Sequence, residues 1–218
     1  DYKKLFAVPG QELTAMIFFE TGSDEESSFS NEYTNIEPRE FNNGIASWEA
    51  GDDRSLRAKA DYVHPLAGEM KLSAGYQARI DRSSEWNDVQ WYEQEGNYEA
   101  SPNSDYYNDT EFMRDIHSAY LMLADQRTSW GYQLGLRSEY TNRKLDYSGA
   151  TDPYESNLFD IFPTAHLSFN LPAKQQMTVS YTRRIDRVRG YYLEPFITYE
   201  SKYNVRTGNP GIEDEYID

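Results

Sequence analysis

Two stretches of this sequence alternate between apolar and polar side chains with a period of two residues. In the first, the apolar positions are Met70, Leu72, Ala74, Tyr76, Ala78 and Ile80, and the positions between them include Lys71, Arg79 and Asp81. In the second, Trp130, Tyr132, Leu134, Leu136 and Tyr140 alternate with Gln133, Arg137 and Glu139. Because successive side chains of a β-strand point to opposite faces, this pattern predicts long strands with one apolar and one polar face.

Weaker copies of the pattern occur around residues 56–62, 165–170 and 176–182. The segment 110–127 is ambiguous, because Phe112, Met113, Ile116 and Tyr120 also have the spacing of an amphipathic helix. As a strand, this segment would be apolar on both faces. We expect a strand, with the helix as the alternative, because a clear strand follows at hairpin distance.

The predicted connections alternate in length along the chain. Tight turns fall at 64–68, 125–129 and 171–174, and long polar excursions fall between them at roughly 22–53, 83–111, 142–158 and 184–214. Alternate connections of an up-and-down sheet lie at the same end. Short turns at one end and long loops at the other are typical of outer-membrane barrels.

The apolar stripes also have the length that a bilayer requires. Trp130 and Tyr140 lie on the same predicted face, and at about 3.3 Å per residue with a strand tilt near 40° they span roughly 25 Å of depth. We therefore predict an all-β fold: an antiparallel up-and-down meander of about eight long strands, part of a transmembrane β-barrel. The alternative is a water-soluble β-sandwich whose apolar face is an internal core.

Composition excludes several other classes of protein. The 37 Asp and Glu residues against 21 Lys and Arg give a formal net charge of −16, which argues against a nucleic-acid partner. The sequence contains no cysteine, so disulfide scaffolds and thiol chemistry are excluded. The longest apolar run is 15–19, much shorter than the roughly 18 residues of a transmembrane helix.

Enzymatic signals are weak in this sequence. It has no nucleophile elbow, no His-Glu-x-x-His motif and no glycine-rich phosphate loop, and its three histidines (His64, His117 and His166) are far apart. The acidic clusters lack the spacing of a calcium loop. We therefore expect no catalytic residues, no metal site and no cofactor.

Aromatic side chains in the predicted 83–111 loop are candidates for ligand contact. Exposed aromatic rings among amides and carboxylates can stack on sugar or aromatic ligands. The candidates are Trp86, Trp91, Tyr92, Tyr106 and Tyr107. The alternative is that these rings pack the long loop onto itself. In the basic cluster near the C-terminus, Arg184 and Arg187 are predicted to make structural ion pairs, with Arg184 facing the barrel interior.

The C-terminal third carries the most specific motifs. They are Tyr181-Thr182-Arg183-Arg184-Ile185-Asp186-Arg187, Leu193-Glu194-Pro195-Phe196 and Gly208-Asn209-Pro210. This pattern resembles the TonB-dependent outer-membrane receptors of the Bacteroidota-type β-barrel family. The sequence departs from the family's usual pattern at Val188 (proline), at Glu194 (asparagine) and at Glu213-Asp214 (lysine–proline).

The resemblance implies that residues 1–218 form a single internal barrel segment of a larger receptor, without its plug domain and C-terminal strands. It implies a place in the outer membrane of a Gram-negative bacterium and a role in nutrient uptake. The implied partners are outer-membrane lipid, the plug domain, TonB, and a small-molecule, oligosaccharide or peptide ligand. The alternative function is a soluble or surface-exposed β-domain that binds glycan or protein through its aromatic loops.

Overall fold

The computed structural model describes residues 1–199 and 203–218, and strands dominate it. In chain order the strands are β1 (Tyr2–Leu5), β2 (Glu12–Tyr33), β3 (Phe41–Pro65), β4 (Lys71–Tyr92), β5 (Asn108–Gln126), β6 (Trp130–Tyr147), β7 (Tyr154–Leu171), β8 (Gln175–Thr182), β9 (Arg184–Asp186), β10 (Ile197–Tyr199), β11 (Val205–Thr207) and β12 (Glu215–Ile217). Short 3₁₀ turns occupy Pro172–Lys174 and Gly190–Tyr192. Within these described residues, no helix has the length and apolar character needed to cross a membrane.

The first eight strands form one antiparallel sheet whose spatial order is the same as the chain order, β1 to β8. This meander confirms the predicted fold, and the strand β5 confirms the choice of strand over helix for 110–127. The β-sandwich alternative is wrong, because a sandwich needs two sheets packed face to face. Here a single sheet of eight strands is present in the described part of the chain, with two separate two-stranded pairs, β10–β11 and β9–β12.

The connections differ in length between the two ends of the sheet, as predicted. At one end, short turns cover 66–70, 127–129 and 172–174. At the other end, the predicted excursions at 22–53 and 142–158 are mostly strand and about half of 83–111 is strand, so the connections themselves are 34–40, 93–107 and 148–153. These connections are longer than the turns at the first end, as predicted, but they are much shorter than the predicted loops. Backbone pairing of β2 with β3 continues without a break from Glu12 to Glu32, although most side chains of the upper half are polar.

The strands are therefore longer than a bilayer is thick. Strand β4 has 22 residues, which corresponds to about 70 Å along the strand at about 3.3 Å per residue. Its apolar alternation covers only 72–80. The upper half of the strand thus extends beyond the apolar band, where neither face contacts lipid and alternation is no longer required.

Register places the apolar side chains of neighbouring strands side by side on one face, the outer face. One row of paired residues across β4 to β8 consists of Leu72, Leu123, Leu134, Ala165 and Tyr181. In this row Leu134 is 46% exposed and Tyr181 47%, and elsewhere on the same face Leu136 is 53% exposed and Phe159 67%. An exposed apolar band of this extent matches the lipid-facing surface of a membrane barrel.

Charged residues of the same strands point to the opposite, inner face. Arg137 on the inner face of β6 bonds Glu139 at 2.5 Å and Ser118 at 3.1 Å. Arg79 and Arg114 both bond Asp81, with nitrogen–oxygen distances of 2.9 Å. An Arg or Lys on the lipid side near the midplane would cost about 2–4 kcal/mol, so the inward orientation removes a large penalty.

The upper limit of the apolar band is marked on the outer face by polar pairs. Arg82 of β4 forms an ion pair with Asp115 of β5 at 2.5 Å. On the next strands, Tyr140 and Asn142 both donate to Asn157, at 2.9 and 2.8 Å. Side chains above this level are outside the band that contacts lipid.

Candidate functional site

The described part of the segment 184–214 folds over the upper inner face of the sheet. Leu193 is fully buried against Phe112 of β5 and Leu145 of β6. Within the segment, the Gly208 amide donates to the Glu194 carbonyl oxygen at 2.6 Å. A Cβ atom at Gly208 would lie 2.5 Å from the Tyr192 carbonyl oxygen, so glycine is required for this close approach.

Two ion pairs attach the two ends of this segment to β6. Arg187 bonds Glu139 through Nη2, and the same nitrogen lies 3.3 Å from Thr141 Oγ1. Arg143 lies 3.3 Å from Asp214, and both side chains are almost completely buried. Removing one member of such a buried pair leaves an uncompensated charge, which is strongly destabilising. The segment is therefore fixed to the inner wall by polar contacts as well as by the Leu193 core.

Arg184 does not make the ion pair predicted for it. Its side chain is exposed, it lies opposite Ile217 in the register of β9 with β12, and it has no carboxylate within 4.0 Å in residues 1–199 and 203–218. The reason is a break in regular strand structure at Arg183. After this break the alternation is shifted by one residue, so that Arg187 faces the inner side and Arg184 does not.

The five aromatic residues predicted to contact ligand lie in three separate places. Trp91 and Tyr106 converge at the rim of the sheet, because both pack edge-to-face on Tyr199 of β10, with ring centroids 5.6 and 5.2 Å away. Both rings are 39% exposed. Sequence reasoning missed Tyr199, which lies 93 residues after Tyr106 and 108 after Trp91 and is brought here by the folding of 184–214.

Trp86 and Tyr107 form the second group. Their rings stack at 6.0 Å on the outer face, above the apolar band. They line a depression of about 440 Å³ together with Ser23, Glu25, Asp52 and Glu111. This pair therefore faces away from the barrel interior.

Tyr92, the third case, has a packing role. Its ring lies over Gly44 of β3, where an added Cβ would be 2.2 Å from the ring, and its hydroxyl donates to Asn31 of β2 at 2.6 Å. Tyr98 stacks on its other side at 4.2 Å. Because these contacts bury Tyr92 to 7% exposure, little of the ring is accessible to a ligand.

The connection 93–107 is held down by a buried carboxylate. Asp88 is fully buried and accepts hydrogen bonds from the Ser101 amide at 2.7 Å, from Gln90 Nε2 at 2.7 Å and from the Ser104 hydroxyl. Three donors from the loop and its own strand satisfy the charge without a cation. The loop is thus folded onto the sheet, as the alternative interpretation of its aromatic residues requires.

A cavity of about 500 Å³ lies between the inner wall and the segment 184–214. Its lining includes carboxylates from four strands or segments: Glu20 of β2, Asp53 of β3, Asp81 and Glu85 of β4, and Glu194. Arginines Arg79 and Arg114 also line it, and both are paired with Asp81. We name this space the inner cavity.

Burial changes the acidity of the carboxyl groups in the inner cavity. The pKa of Glu85 is raised to about 7, first by burial and then by the charges of Glu194 and Glu49. Burial is also the first cause of the raised pKa values of Asp53 and Glu194. All three groups lie above the apolar band. The charged forms are thus disfavoured in the absence of a cation.

Sequence reasoning did not single out the inner cavity. Asp53 and Glu85 fall in the segments 22–53 and 83–111 that read as polar loops, and Glu20 directly follows the apolar run 15–19. Only the continued strand pairing places the three on one face. Glu194 carried a signal, because it replaces the asparagine usual in the resembling family. In residues 1–199 and 203–218, the inner cavity included, no group of three or more His, Asp or Glu side chains is arranged to hold a metal ion.

A single open-ended meander with an outward apolar band and a polar inner face defines an outer-membrane β-barrel wall. The model of the outer membrane protein β-barrel family matches residues 4–218, and the chain belongs to that family. The protein is accordingly located in the outer membrane.

Among solved structures, the chain is similar to the ferric citrate transporter FecA in its unliganded form, with 13% sequence identity and a TM-score of 0.49. The similarity covers 80% of this chain and 27% of that one, so the chain spans little more than a quarter of the transporter's length. No curated protein matches this sequence.

Proposed function

We propose that this chain forms part of the wall and outer connections of a TonB-dependent receptor that imports a nutrient across the outer membrane. The observation that carries the proposal is the packing of two of the C-terminal motifs, 193–196 and 208–210, against each other on the inner face. Gly208 and Asn209 donate to the carbonyl oxygens of Glu194 and Tyr192, at 2.6 and 2.8 Å. The residues that carry the resemblance thus form one structural unit inside the barrel.

The proposed receptor is larger than this chain. In the described residues, β1 and β8 are the two ends of the sheet order, so each has an edge that no strand of this sheet covers. An unpaired strand edge is not tolerated in lipid, because its amide and carbonyl groups have no partners there. Further strands of the same receptor would pair with these edges, and a plug domain would occupy the interior and engage TonB.

The ligand of this receptor would be a small molecule, an oligosaccharide or a peptide. Trp91 and Tyr106 are the aromatic residues best placed to meet it, because they are partly exposed at the rim beside Tyr199. Trp86 and Tyr107 would meet only ligands that approach the outer surface. Arg187 would hold the segment 184–214 in place and would not contact the ligand.

Energy-dependent uptake tests this function in cells that carry the full-length receptor. Accumulation of candidate nutrients would be measured with and without an uncoupler of the inner-membrane potential, and in a strain lacking TonB. We expect accumulation above the external concentration only in energised cells that contain TonB. Uptake that only equilibrates and is unchanged by either treatment would identify a passive pore and overturn the proposal.

A further inference from the structure

The inner cavity has more negative charge than its own arginines neutralise. Strand alternation directs Arg54 and Arg82 to the outer face, and Arg82 is paired there with Asp115. Arg79 and Arg114 both bond Asp81. These two arginines bring one more positive charge than Asp81 neutralises, and the exposed Arg189 adds another, against the four carboxylates Glu20, Asp53, Glu85 and Glu194. Arg206, beside the cavity, acts on Glu85 and Glu194 and partly offsets the rise in the pKa of both, so the balance stays negative by about one charge.

None of these four carboxylates has an Arg or Lys nitrogen within 4.0 Å in the part of the chain that the structure describes. Glu194 is the most unusual of them, because it is only 6% exposed and its carboxylate takes no hydrogen bond from residues 1–199 or 203–218. Arg206 is near enough to lower the pKa of Glu194, but the effect of burial is larger. A carboxylate that is largely shielded from bulk water and lines a cavity is stabilised by a ligand that donates hydrogen bonds to it.

We infer that the inner cavity binds the ammonium groups of a basic ligand, such as a lysine-containing peptide, with Glu194 and Asp53 as its principal anionic contacts. An ammonium donates up to three hydrogen bonds and is compact. Charge-assisted bonds to carboxylates are about twice as strong as neutral ones. The cavity volume of about 500 Å³ is within the usual range for small-ligand sites.

The geometry favours an organic cation over a metal ion. A calcium site needs six to eight oxygen ligands converging at 2.3–2.6 Å, and the described residues contain no group of three carboxylates or histidines arranged in that way. The cavity carboxylates come from β2, β3, β4 and the segment 184–214. They are spread over the cavity wall and do not converge on one point. Several ammonium groups on one ligand would reach them separately.

This inference rests on the proposed function only for the ligand's role as an imported nutrient, because binding can be measured without import. The probe is trilysine, and the control ligand is the same peptide with all amino groups acetylated. Calorimetric titration of the purified full-length receptor in detergent, at low ionic strength, gives the affinities. We expect trilysine to bind and the acetylated peptide not to bind.

The variants Glu194→Gln and Asp53→Asn each remove one charge with little change of shape. Each is expected to weaken trilysine binding about tenfold, the usual effect of losing one charged hydrogen bond. The matched control is Glu111→Gln, since Glu111 is opposite Ser84 in the register and lies on the outer face beside the Trp86–Tyr107 pair. It should bind trilysine as tightly as the wild type.

Equal binding of both peptides, or an unchanged affinity in both cavity variants, would overturn the inference. So would calcium binding in the absence of trilysine binding, which would make the cavity a metal site. These outcomes leave energy-dependent uptake untouched. Conversely, trilysine binding together with passive uptake would overturn the proposed function and still support the assignment of the cavity.

Discussion

Glu85 shows how one side chain couples the inner cavity to pH. Its carboxyl group faces Glu49 and Glu194, and burial together with these charges raises its pKa to about 7. The folded protein therefore holds this proton at pH values where the unfolded chain, with a pKa near 4.5, has lost it. Stability must then fall as pH rises from about 4.5 to about 7 and change little above that range.

The variant Glu85→Gln should remove this loss of stability. Through Glu85, the wild type is expected to lose about 1 kcal/mol of unfolding free energy between pH 5 and 8. The full pKa shift would correspond to a larger loss, but Glu85 is partly exposed and solvent screens its interactions. The measurement is heat unfolding of the full-length receptor in detergent at both pH values. The difference between the two should shrink in Glu85→Gln and persist in Glu111→Gln; an equal difference in wild type and Glu85→Gln would contradict the assignment.

At the scale of elements, two tyrosines each connect three consecutive strands, with the ring over a glycine of the next strand and the hydroxyl bonded to the strand after it. Tyr120 of β5 lies over Gly75 of β4 and donates to Asp61 of β3 at 2.7 Å. Tyr92 of β4 lies over Gly44 of β3 and reaches Asn31 of β2. In each case the glycine leaves room for the ring, and the hydroxyl bonds a strand two positions away. One side chain thus contacts three neighbouring strands and supports the register that the backbone pairing sets.

Replacing Gly75 with Ala tests this arrangement. The new Cβ would lie 2.3 Å from the Tyr120 ring and 2.7 Å from Asp61, so the ring must leave its place and the hydroxyl bond is lost. Overpacking of this kind costs about 1–3 kcal/mol. The variant Gly22→Ala is the control, because nothing lies within 4 Å of its added Cβ.

Heat unfolding of the full-length receptor should show a lower midpoint for Gly75→Ala and no loss for Gly22→Ala. Replacing Tyr120 as well, in Gly75→Ala/Tyr120→Ala, should abolish the extra effect of the alanine at position 75. If Gly75→Ala unfolds at the wild-type midpoint, Tyr120 does not depend on the glycine.

The elements also divide into those that sequence could and could not predict. Alternation in 70–81 and 130–141 identified both the strands and their faces, because lipid and the barrel interior make opposite demands on neighbouring residues. Above the apolar band neither face contacts lipid, so 22–33 and 41–53 carried no alternation and were interpreted as loop. The inner cavity and the shift at Arg183 depend on pairing between distant segments, which no local pattern records.

At the scale of the whole molecule, a membrane-spanning wall must have a lipid side and an interior side throughout the apolar band. Four consecutive residues of β6 sample both sides: Gln133 and Gly135 face the interior, while Leu134 and Leu136 belong to the outer rows. The sequence has no cysteine, so single cysteines can be introduced in this segment without competing thiols.

The most direct test places spin labels singly at positions 133, 134, 135 and 136 of the full-length receptor in lipid bilayers. Collision with oxygen, which concentrates in lipid, and with a water-soluble nickel complex would be measured at each position. Labels at 134 and 136 should collide mainly with oxygen, and labels at 133 and 135 should be shielded from lipid. Four equally water-accessible positions, or the opposite alternation, would contradict a membrane-spanning wall.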